Sequence, residues 1–566
     1  MALTVEASRA RVDLSRPLFI VVALVLVALV ALPVGWLVVT SFLGPHGFTL
    51  ANYAQLVRDP TMRKPLWITL WSSACTAAAC VVVAVPMGWL VARTDMPLRR
   101  TVRIAVLASF VTPPFLGAIA WQLLAEPHAG FLNKLAQTLF GPDVHPFNVY
   151  TVWGLVFVNF LYTFPYVFTL VANALERVPS ELEDASAILG AGPLRTALGV
   201  TLPLILPSIL AGALVAFLQS LTVFGSAAII TLPAGFYTMT TRIWSLFQFP
   251  PNPGLAAAAA MPLIVLTVLL LRAQQAILGR RGYAVVAGKG ARRSIAPLRR
   301  WRWPALALCG LVLLCALVLP YAALLDAAFV KIAPALPTPA NFTLQHVRFV
   351  FGDLDATPVA LKNTIVLALG AASIGTVLAV LVAYVTQRRA IAGWRTLAFF
   401  ANAPIAIPSI VLGVGIFLAY TRPPFVLFGT LWILLIAFVT IELPAAYQQL
   451  VAATASIHPE LEEAGRILGA SRLRALRDLV APLMRSAMIA TWCFVFIGAI
   501  REISAAILLF TAPTRTISVV IYDLNESGDT GSIAVLGLLL MAVTFVVLLV
   551  ATRVPVAATA SLELRE

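Results

Sequence analysis

A polar stretch of fifteen residues occurs twice in this chain. Residues 181–195 read ELEDASAILGAGPLR, and residues 460–474 read ELEEAGRILGASRLR. The copies are 279 residues apart and identical at 10 of 15 positions, and each is followed eight residues later by Pro-Leu, at Pro203 and Pro482. A polar segment that is kept twice in an otherwise apolar chain predicts two equivalent halves.

The composition indicates a membrane protein. Apolar residues make up 61% of the 566 residues and charged residues 11%, against about 25% charged residues in soluble domains. The net charge of +15 would suit a nucleic-acid-binding protein, but the basic residues lie in short runs between apolar segments, as in cytoplasmic loops. No basic domain with interleaved aromatic residues occurs, so we expect the chain to contact a lipid bilayer and no nucleic acid.

Apolar runs long enough to cross a bilayer, about 20 residues each, can be counted along the chain. Six fall in the first half, at 18–42, 67–92, 102–125, 150–174, 203–229 and 254–278. Six fall in the second half, at 304–330, 361–386, 395–420, 426–450, 483–511 and 531–553. The sequence therefore predicts an all-α polytopic membrane protein of about 12 transmembrane helices in two six-helix repeats.

Loop charges predict the orientation of these spans. Basic residues concentrate in alternate loops, which places those loops and both chain termini in the cytoplasm. Because each half has an even number of spans, the repeats are parallel and related by a pseudo-twofold axis along the membrane normal. The segment 272–302 has nine basic residues and no acidic one, so we interpret it as a cytoplasmic linker. The predicted domains are a repeat over 1–271, this linker, and a repeat over 303–566.

Each copy of the repeated stretch has the pattern of a short helix on the cytoplasmic face. Ser180 and Glu183 fit an S-x-x-E capping box, and Pro459 suits a first helical turn. Leu182 and Leu189 recur at helical spacing, and a glycine follows. Helices that lie on lipid usually carry Lys or Arg on their polar face. These helices begin with acidic residues instead, which favours docking into a protein groove.

The two stretches resemble the EAA motif of type-1 ABC importer permeases, whose pattern is E-A-A, three residues, Gly, nine residues, then I-x-L-P. The second copy supplies Glu463-Ala464-Gly465, Gly469 and 479–482, and the first supplies Asp184-Ala185-Ser186, Gly190 and 200–203. The departures are Asp for Glu in the first copy, Ser or Gly for the second Ala, and Ala481 for Leu. None of them alters the pattern of a short acidic helix followed by glycine.

This resemblance implies that other subunits bind ATP and deliver the cargo. In the family, the motif helices dock into two cytoplasmic ATPase subunits, which bind ATP and Mg, and a periplasmic or external solute-binding protein delivers the cargo. The chain has no G-x-x-x-x-G-K-[ST] motif, so we expect no enzyme activity and no cofactor of its own. The implied location is the bacterial inner (plasma) membrane. The residues expected to couple to the ATPase are Glu181, Glu183, Asp184, Ala185, Gly190, Glu460, Glu462, Glu463, Ala464 and Gly469.

Ionisable residues inside apolar spans are candidates for a translocation pathway. Glu442 falls in the tenth span, and Arg501 and Glu502 fall in the eleventh. For Arg501 and Glu502, structural pairing and pathway lining are equal alternatives. Glu442 has no basic residue nearby in sequence, which favours a pathway role. His, Cys and carboxylate residues form no cluster with ligand spacing, so neither a metal site nor a catalytic site is predicted.

The sequence leaves the cargo open. The fusion of twelve spans in one chain resembles the ferric-iron branch of these importers, as do residues 224–228, 232–237 and 241–247. Related fused permeases carry thiamine or aminoethylphosphonate, which are the alternatives. A rival of another class is a twelve-span secondary transporter of the major facilitator type. Against that rival, the strongest repeat lies after spans four and ten, and no chain of buried carboxylates offers proton coupling.

Overall fold

The computed structural model describes residues 15–44, 47–280, 295–333 and 338–553. Most of these residues are helical, and the strands within these ranges are the short antiparallel pair β1 Leu43–Gly44 and β2 Gly47–Phe48. Both chain termini and residues 281–294 of the predicted linker lie outside the described residues. The fold class predicted from the sequence is confirmed.

The helices follow the same order in both halves. In the first half they are α1 Ser15–Leu26, α2 Leu32–Ser41, α3 Ala51–Arg58, α4 Pro60–Arg93, α5 Arg99–Val111, α6 Pro114–Ala125, α7 Phe131–Phe140, α8 Val152–Arg177, α9 Ser180–Ile188, α10 Pro193–Thr196, α11 Leu202–Thr222, α12 Gly225–Thr231, α13 Met239–Ser245 and α14 Pro253–Arg280. In the second half they are α15 Arg302–Leu313, α16 Leu319–Phe329, α17 Gln345–Arg348, α18 Ala356–Gln387, α19 Trp394–Asn402, α20 Ser409–Tyr420, α21 Leu431–Ala455, α22 Pro459–Ile467, α23 Arg472–Ala475, α24 Ala481–Leu483, α25 Arg485–Ile500, α26 Ala506–Leu509, α27 Ile517–Ser527 and α28 Thr530–Arg553. The predicted linker start at 272 therefore lies inside α14.

Short π and 3₁₀ segments join several of these helices. The π-helical turns are Val27–Ala31, Ala197–Thr201, Leu314–Val318, Phe349–Asp353 and Leu476–Val480, and the 3₁₀ turns are Arg299–Trp301, Ala403–Ala406 and Ala512–Thr514. One π turn interrupts the first span of each half, and one follows each copy of the repeated stretch. The repeat seen in the sequence is thus a repeat of backbone irregularities as well.

The spans agree with the predicted count of twelve. Within the described residues, nine helices are long and apolar enough to cross a membrane, and three further pairs of helices complete twelve if each bent pair forms one span. The pairs bend by 99° between α5 and α6, by 115° between α19 and α20, and by 80° at the start of α25. The sequence predicted the first two of these as uninterrupted apolar runs, at 102–125 and 395–420, and their breaks are a correction. The third break lies at the start of the predicted run 483–511.

Proline accounts for the breaks in the third and ninth spans. Thr112 precedes Pro113 and Ile407 precedes Pro408, and both preceding residues have extended backbone, with ψ of 123° and 117°. A residue before proline disfavours the helical conformation because of clash with the proline ring. Each break therefore ends one half-helix and redirects the next.

The two halves interlock through their first spans. In the first half, α2 packs against α20 of the second half, and in the second half α16 packs against α6 of the first. The Tyr420 hydroxyl donates to the Ala28 carbonyl at 2.8 Å, and the Tyr321 and Thr112 hydroxyls lie 2.9 Å apart. Each half therefore packs its first span on the broken span of the other.

Candidate docking helices and translocation cavity

The first repeated stretch forms α9, which is held to the end of α4 by one arginine. The Glu183 Oε2 atom lies 3.5 Å from Arg93 Nη1, and its Oε1 atom accepts a hydrogen bond from Thr201 at 2.8 Å. The second Arg93 amino group donates to the Val178 carbonyl, just before α9. Arg93 itself is 2% exposed. Since a buried guanidinium is stable only when it is paired and hydrogen-bonded, this arginine fixes the position where α9 begins.

The second stretch forms α22 and has the same anchor. Arg388 Nε donates to Glu462 Oε2 at 3.1 Å, and its Nη2 donates to the Ile457 carbonyl at 3.0 Å. The Tyr384 hydroxyl donates to the other Glu462 oxygen. Arg388 and Ile457 are the repeat equivalents of Arg93 and Val178, at offsets of 295 and 279. The same device therefore holds both helices at the ends of their long spans.

The helix starts differ in part from the sequence prediction. Ser180 is the first residue of α9, Pro179 occupies the cap position, and no side chain caps the helix. The predicted capping box between Ser180 and Glu183 is wrong, because the Glu183 carboxylate binds Arg93 and Thr201 instead. Pro459 does lie in the first turn of α22, as predicted.

Each helix ends in an exposed apolar tip. The exposed fractions are 86% for Ile188, 87% for Leu189, 86% for Ile467 and 89% for Leu468. Gly190 and Gly469 follow with φ of +83° and +89°, a conformation that L side chains rarely adopt. The predicted apolar stripe through Leu182 and Leu189 does not form within α9, because that helix ends at Ile188 and Leu189 lies beyond it.

The structure divides the ten predicted coupling residues into two groups. Glu183 and Glu462 face the protein and hold the helices in place. The other eight are exposed on the outer side or at the tip, and they are Glu181, Asp184, Ala185, Gly190, Glu460, Glu463, Ala464 and Gly469. The sequence prediction omitted the tip residues themselves, although the identical Ile-Leu-Gly in both copies was a signal that could have found them.

A cavity of about 1230 Å³ lies between the two halves. Its lining includes both helix breaks, at 112–114 and 403–409, and the ends of α14 and α21 that lead toward the linker and α22. Polar lining residues that the sequence prediction missed include Asn159, Tyr166, Gln219, Arg272, Asn402 and Gln448. They are spread over five helices and lie among other polar residues, so no local pattern separates them from ordinary polar residues inside a bundle.

All three predicted pathway residues line this cavity. Arg501 donates from Nη1 to the Phe110 carbonyl of the other half at 3.1 Å, beside the helix break. Glu502 accepts a hydrogen bond from the Ala505 backbone at 3.0 Å. Because α25 ends at Ile500, Arg501 and Glu502 lie in the chain after the helix, which corrects their predicted place inside the eleventh span. Arg501 therefore makes a structural contact between halves from a position on the cavity wall.

Glu442 occupies a space that the facing helix leaves empty. A Cβ atom at Gly498 of α25 would lie 2.2 Å from Glu442 Oε1. In the first half the equivalent residues are Thr163 and Gln219, at the repeat offset of 279. The long polar side chain is thus on α11 in one half and on α21 in the other. Glu442 lines the cavity. Among the described residues, its carboxylate interacts electrostatically with Arg501 and Glu502 and accepts no hydrogen bond.

The comparison with known protein families follows this geometry. The profile of binding-protein-dependent transport system inner membrane components matches residues 84–282 and 364–555, one match in each half. The chain belongs to this family. The two matches account for the repeated helix order, and the family assignment excludes the rival of major facilitator type.

Named relatives support the family assignment over most of the chain. The ferric transport system permease protein FbpB of Actinobacillus pleuropneumoniae is 26% identical over 451 residues, which cover 79% of this chain and 64% of that protein. A second FbpB protein, from Haemophilus influenzae, is 26% identical over 74% of this chain and 66% of its own length. The probable ABC transporter permease protein y4fN of Sinorhizobium fredii is 26% identical over 89% of this chain and 90% of its own length. The chain thus spans just under two thirds of the two FbpB proteins.

Proposed function

We propose that this chain is the membrane-spanning permease subunit of an ATP-driven importer. The observation that supports it best is the pair of equivalent helices, α9 and α22, each anchored by one arginine and each ending in an exposed Ile-Leu tip. Exposed apolar tips on a polar surface are characteristic of protein contact sites. Family membership supplies the kind of partner, a transport system that depends on a binding protein.

Two ATPase subunits fit the two helices, one on each. The chain carries no phosphate-binding motif of its own, so ATP and Mg would be bound by those subunits. This assigns the α9 and α22 face to the cytoplasm, with the linker and both termini on the same side, as the loop charges predict. The opposite face would receive cargo from an external solute-binding protein.

Ferric iron is the proposed cargo, with thiamine or a phosphonate as alternatives. Two relatives are named as ferric transport permeases, and the cavity presents two carboxylates, Glu442 and Glu502. Carboxylate oxygens suit a hard, highly charged cation. Glu442 is the group we assign to contact with passing cargo, because Glu502 already accepts a backbone hydrogen bond.

The docking proposal is tested by removing the tips. The chain is co-expressed with each ABC ATPase of the source genome, and the bound ATPase is measured after purification. Replacing Ile467 and Leu468 with serine should weaken binding about tenfold or more per residue, because a buried Ile or Leu contributes about 1.5–3 kcal/mol. Leu98→Ser is the control, since Leu98 is 63% exposed and lies outside both helices. Unchanged ATPase binding by the tip variants would refute the docking role.

The cargo is tested separately. Thermal shifts of the partner binding protein with Fe(III), thiamine and aminoethylphosphonate identify what is delivered, and uptake into proteoliposomes then follows that cargo. Glu442→Gln should reduce the rate of Fe(III) uptake, while Glu526→Gln, an exposed carboxylate outside the cavity, should not. Equal uptake by both variants would remove Glu442 from the pathway, and a shift with thiamine alone would overturn iron as the cargo.

A further inference from the structure

The end of the linker between halves is bound to the first half. The Ala296 N–H donates to the Arg93 carbonyl at 2.8 Å, and Thr94 and Ala296 form a parallel β-bridge. The Leu298 N–H donates to Asp95 Oδ1 at 2.8 Å, and Arg302 Nε donates to Asp95 Oδ2 at 3.0 Å. Four contacts thus tie residues 295–302 to residues 93–95, which are the last residue of α4 and the two residues after it.

Those three residues include the anchor of α9. Arg93 holds Glu183 and the Val178 carbonyl with its side chain, and its own carbonyl accepts the hydrogen bond from Ala296. The linker and α9 therefore both contact Arg93. A displacement of residues 295–302 would act on the backbone that carries this arginine.

In the second half, the corresponding loop is held by a residue of that half and not by a linker. The repeat equivalent of Asp95 is Ala390, at the offset of 295, and Arg472 Nη1 donates to the Ala390 carbonyl at 2.7 Å. Arg472 follows α22 in its own half. The first half has Pro193 at the equivalent of Arg472, at the offset of 279, and proline has no side-chain donor. The first half therefore lacks this contact, and there the linker binds the side chain of Asp95, the residue equivalent to Ala390.

We propose that residues 295–302 act as a clasp that positions docking helix α9, with Asp95 and Arg302 as its positioning residues. The clasp is the first-half counterpart of the contact between Arg472 and Ala390. In this proposal, the linker does more than connect the two halves, because its last residues hold the loop that anchors α9. The consequence for ATP coupling rests on the proposed function, whereas the positioning of α9 does not.

The strength of the clasp lies in the set of contacts rather than in one pair. The Arg302 and Asp95 side chains are 49% and 22% exposed, and exposed ion pairs are individually weak. The hydrogen bond from Arg302, followed by that from the Leu298 backbone, holds the pKa of the Asp95 carboxyl below its usual value. Asp95 is thus charged at neutral pH, and the pair is formed under physiological conditions.

The test uses spin labels at equivalent positions of the two docking helices. Ala187 and Arg466 are both exposed and 279 residues apart, so a nitroxide at either one reports the local mobility of its helix in the full-length protein. Asp95→Asn should raise the mobile fraction at 187 by about two- to fivefold, the range that an exposed ion pair supports, and leave 466 unchanged. Arg472→Gln is the matched control and should do the reverse.

A second variant addresses the backbone contact. Ala296→Pro removes the N–H that donates to Arg93 and changes no charge, and it should mobilise the label at 187 at least as much as Asp95→Asn. Exchanging the charges, with Asp95→Arg and Arg302→Asp together, should restore part of the immobilisation lost in each single variant. Equal mobilisation of both labels by Asp95→Asn, or none at 187 in any variant, would overturn the clasp.

The effect of the clasp on the coupling of transport to ATP hydrolysis is measured separately. In the reconstituted transporter, Asp95→Asn should lower the cargo moved per ATP hydrolysed while the amount of bound ATPase at α22 stays the same. A selective change at label 187 with no change in this ratio would overturn the coupling consequence and leave the positioning intact. If no ATPase binds the wild-type chain, the proposed function fails, and the label result still decides the clasp.

Discussion

Replacing Gly498 with alanine probes the contact between α25 and the one cavity carboxylate that lacks a hydrogen-bond donor among the described residues. The added Cβ atom would lie 2.2 Å from Glu442 Oε1 and 2.4 Å from its Cδ, whereas non-bonded heavy atoms prefer about 3.5–4.0 Å. The carboxylate must leave its position, or α21 and α25 must separate. Overpacking of this kind costs about 1–3 kcal/mol, so we expect a lower unfolding midpoint for Gly498→Ala.

A double-mutant cycle isolates this contact. Glu442→Ala removes the atoms that the new Cβ meets, so Gly498→Ala should cost little in that background, which gives an interaction free energy of about 1–3 kcal/mol. The assay is unfolding of the purified protein in detergent, followed by near-UV circular dichroism. Gly375→Ala is the control, since its Cβ would lie 3.7 Å from Val495, an ordinary contact on a neighbouring helix.

Two results would refute this reasoning. If Gly498→Ala destabilises the protein equally with and without Glu442, the contact is not the cause. If Gly498→Ala is as harmless as Gly375→Ala, the carboxylate does not occupy the space beside Gly498.

Further predictions follow from the repeat, the anchors and the clasp. The double variant Glu442→Thr and Gly498→Gln gives the second half the residue pair of the first half. It should have an unfolding midpoint near that of the wild type, and any uptake that depends on the carboxylate should be lost. A midpoint below that of Gly498→Ala would contradict the equivalence of the two pairs. Glu462→Ala leaves Arg388 without its carboxylate, and breaking a buried pair costs about 3–5 kcal/mol. Limited proteolysis should therefore cut near α22 faster, with Glu463→Ala, an exposed neighbour, as the unaffected control. Because the Asp95 pKa is lowered, the clasp is stable above the ordinary Asp value of about 4 and is lost as pH falls below it. The label at 187 should stay immobile from pH 8 to 5, and loosening already at pH 6 would contradict the pairing.

The two halves differ in their local contacts. Helices α9 and α22 end in the same apolar tip, yet Ala390 is bound by Arg472 of its own half, whereas its first-half equivalent, Asp95, is bound by the linker. The cavity is asymmetric as well, with Gln219 on one side and Glu442 on the other. Equivalent positions of the two repeats are therefore held by different residues.

The broken spans show where sequence reasoning reached its limit. Apolar runs at 102–125 and 395–420 gave the correct number of crossings, because the length of a run is a local property. The prolines that break them, Pro113 and Pro408, are visible in the sequence, but proline within an apolar span is also compatible with a mild kink. Only the packed structure shows bends of 99° and 115° at these two residues.

For α9 and α22, too, the sequence predicted some features and not others. Repetition, acidic residues and glycine placed both helices and their ends correctly within a few residues, since each is a pattern over neighbouring residues. Which face each helix buries was not predictable, because the partners Arg93 and Arg388 lie 90 and 74 residues away along the chain. The Ser180 capping box failed for this reason: a distant arginine competed successfully for Glu183.

By itself, the sequence determined the helical membrane fold, the twelve spans and the two halves, which follow from composition, periodicity and internal repetition, and it indicated the family through the resemblance of the two stretches to a known motif. The tertiary structure alone decided that Glu442 lies against Gly498, that Arg501 reaches Phe110 in the other half, and that the linker binds beside Arg93. These contacts join residues from different spans. Their formation depends on how the helices pack against one another, which no pattern along a single segment records.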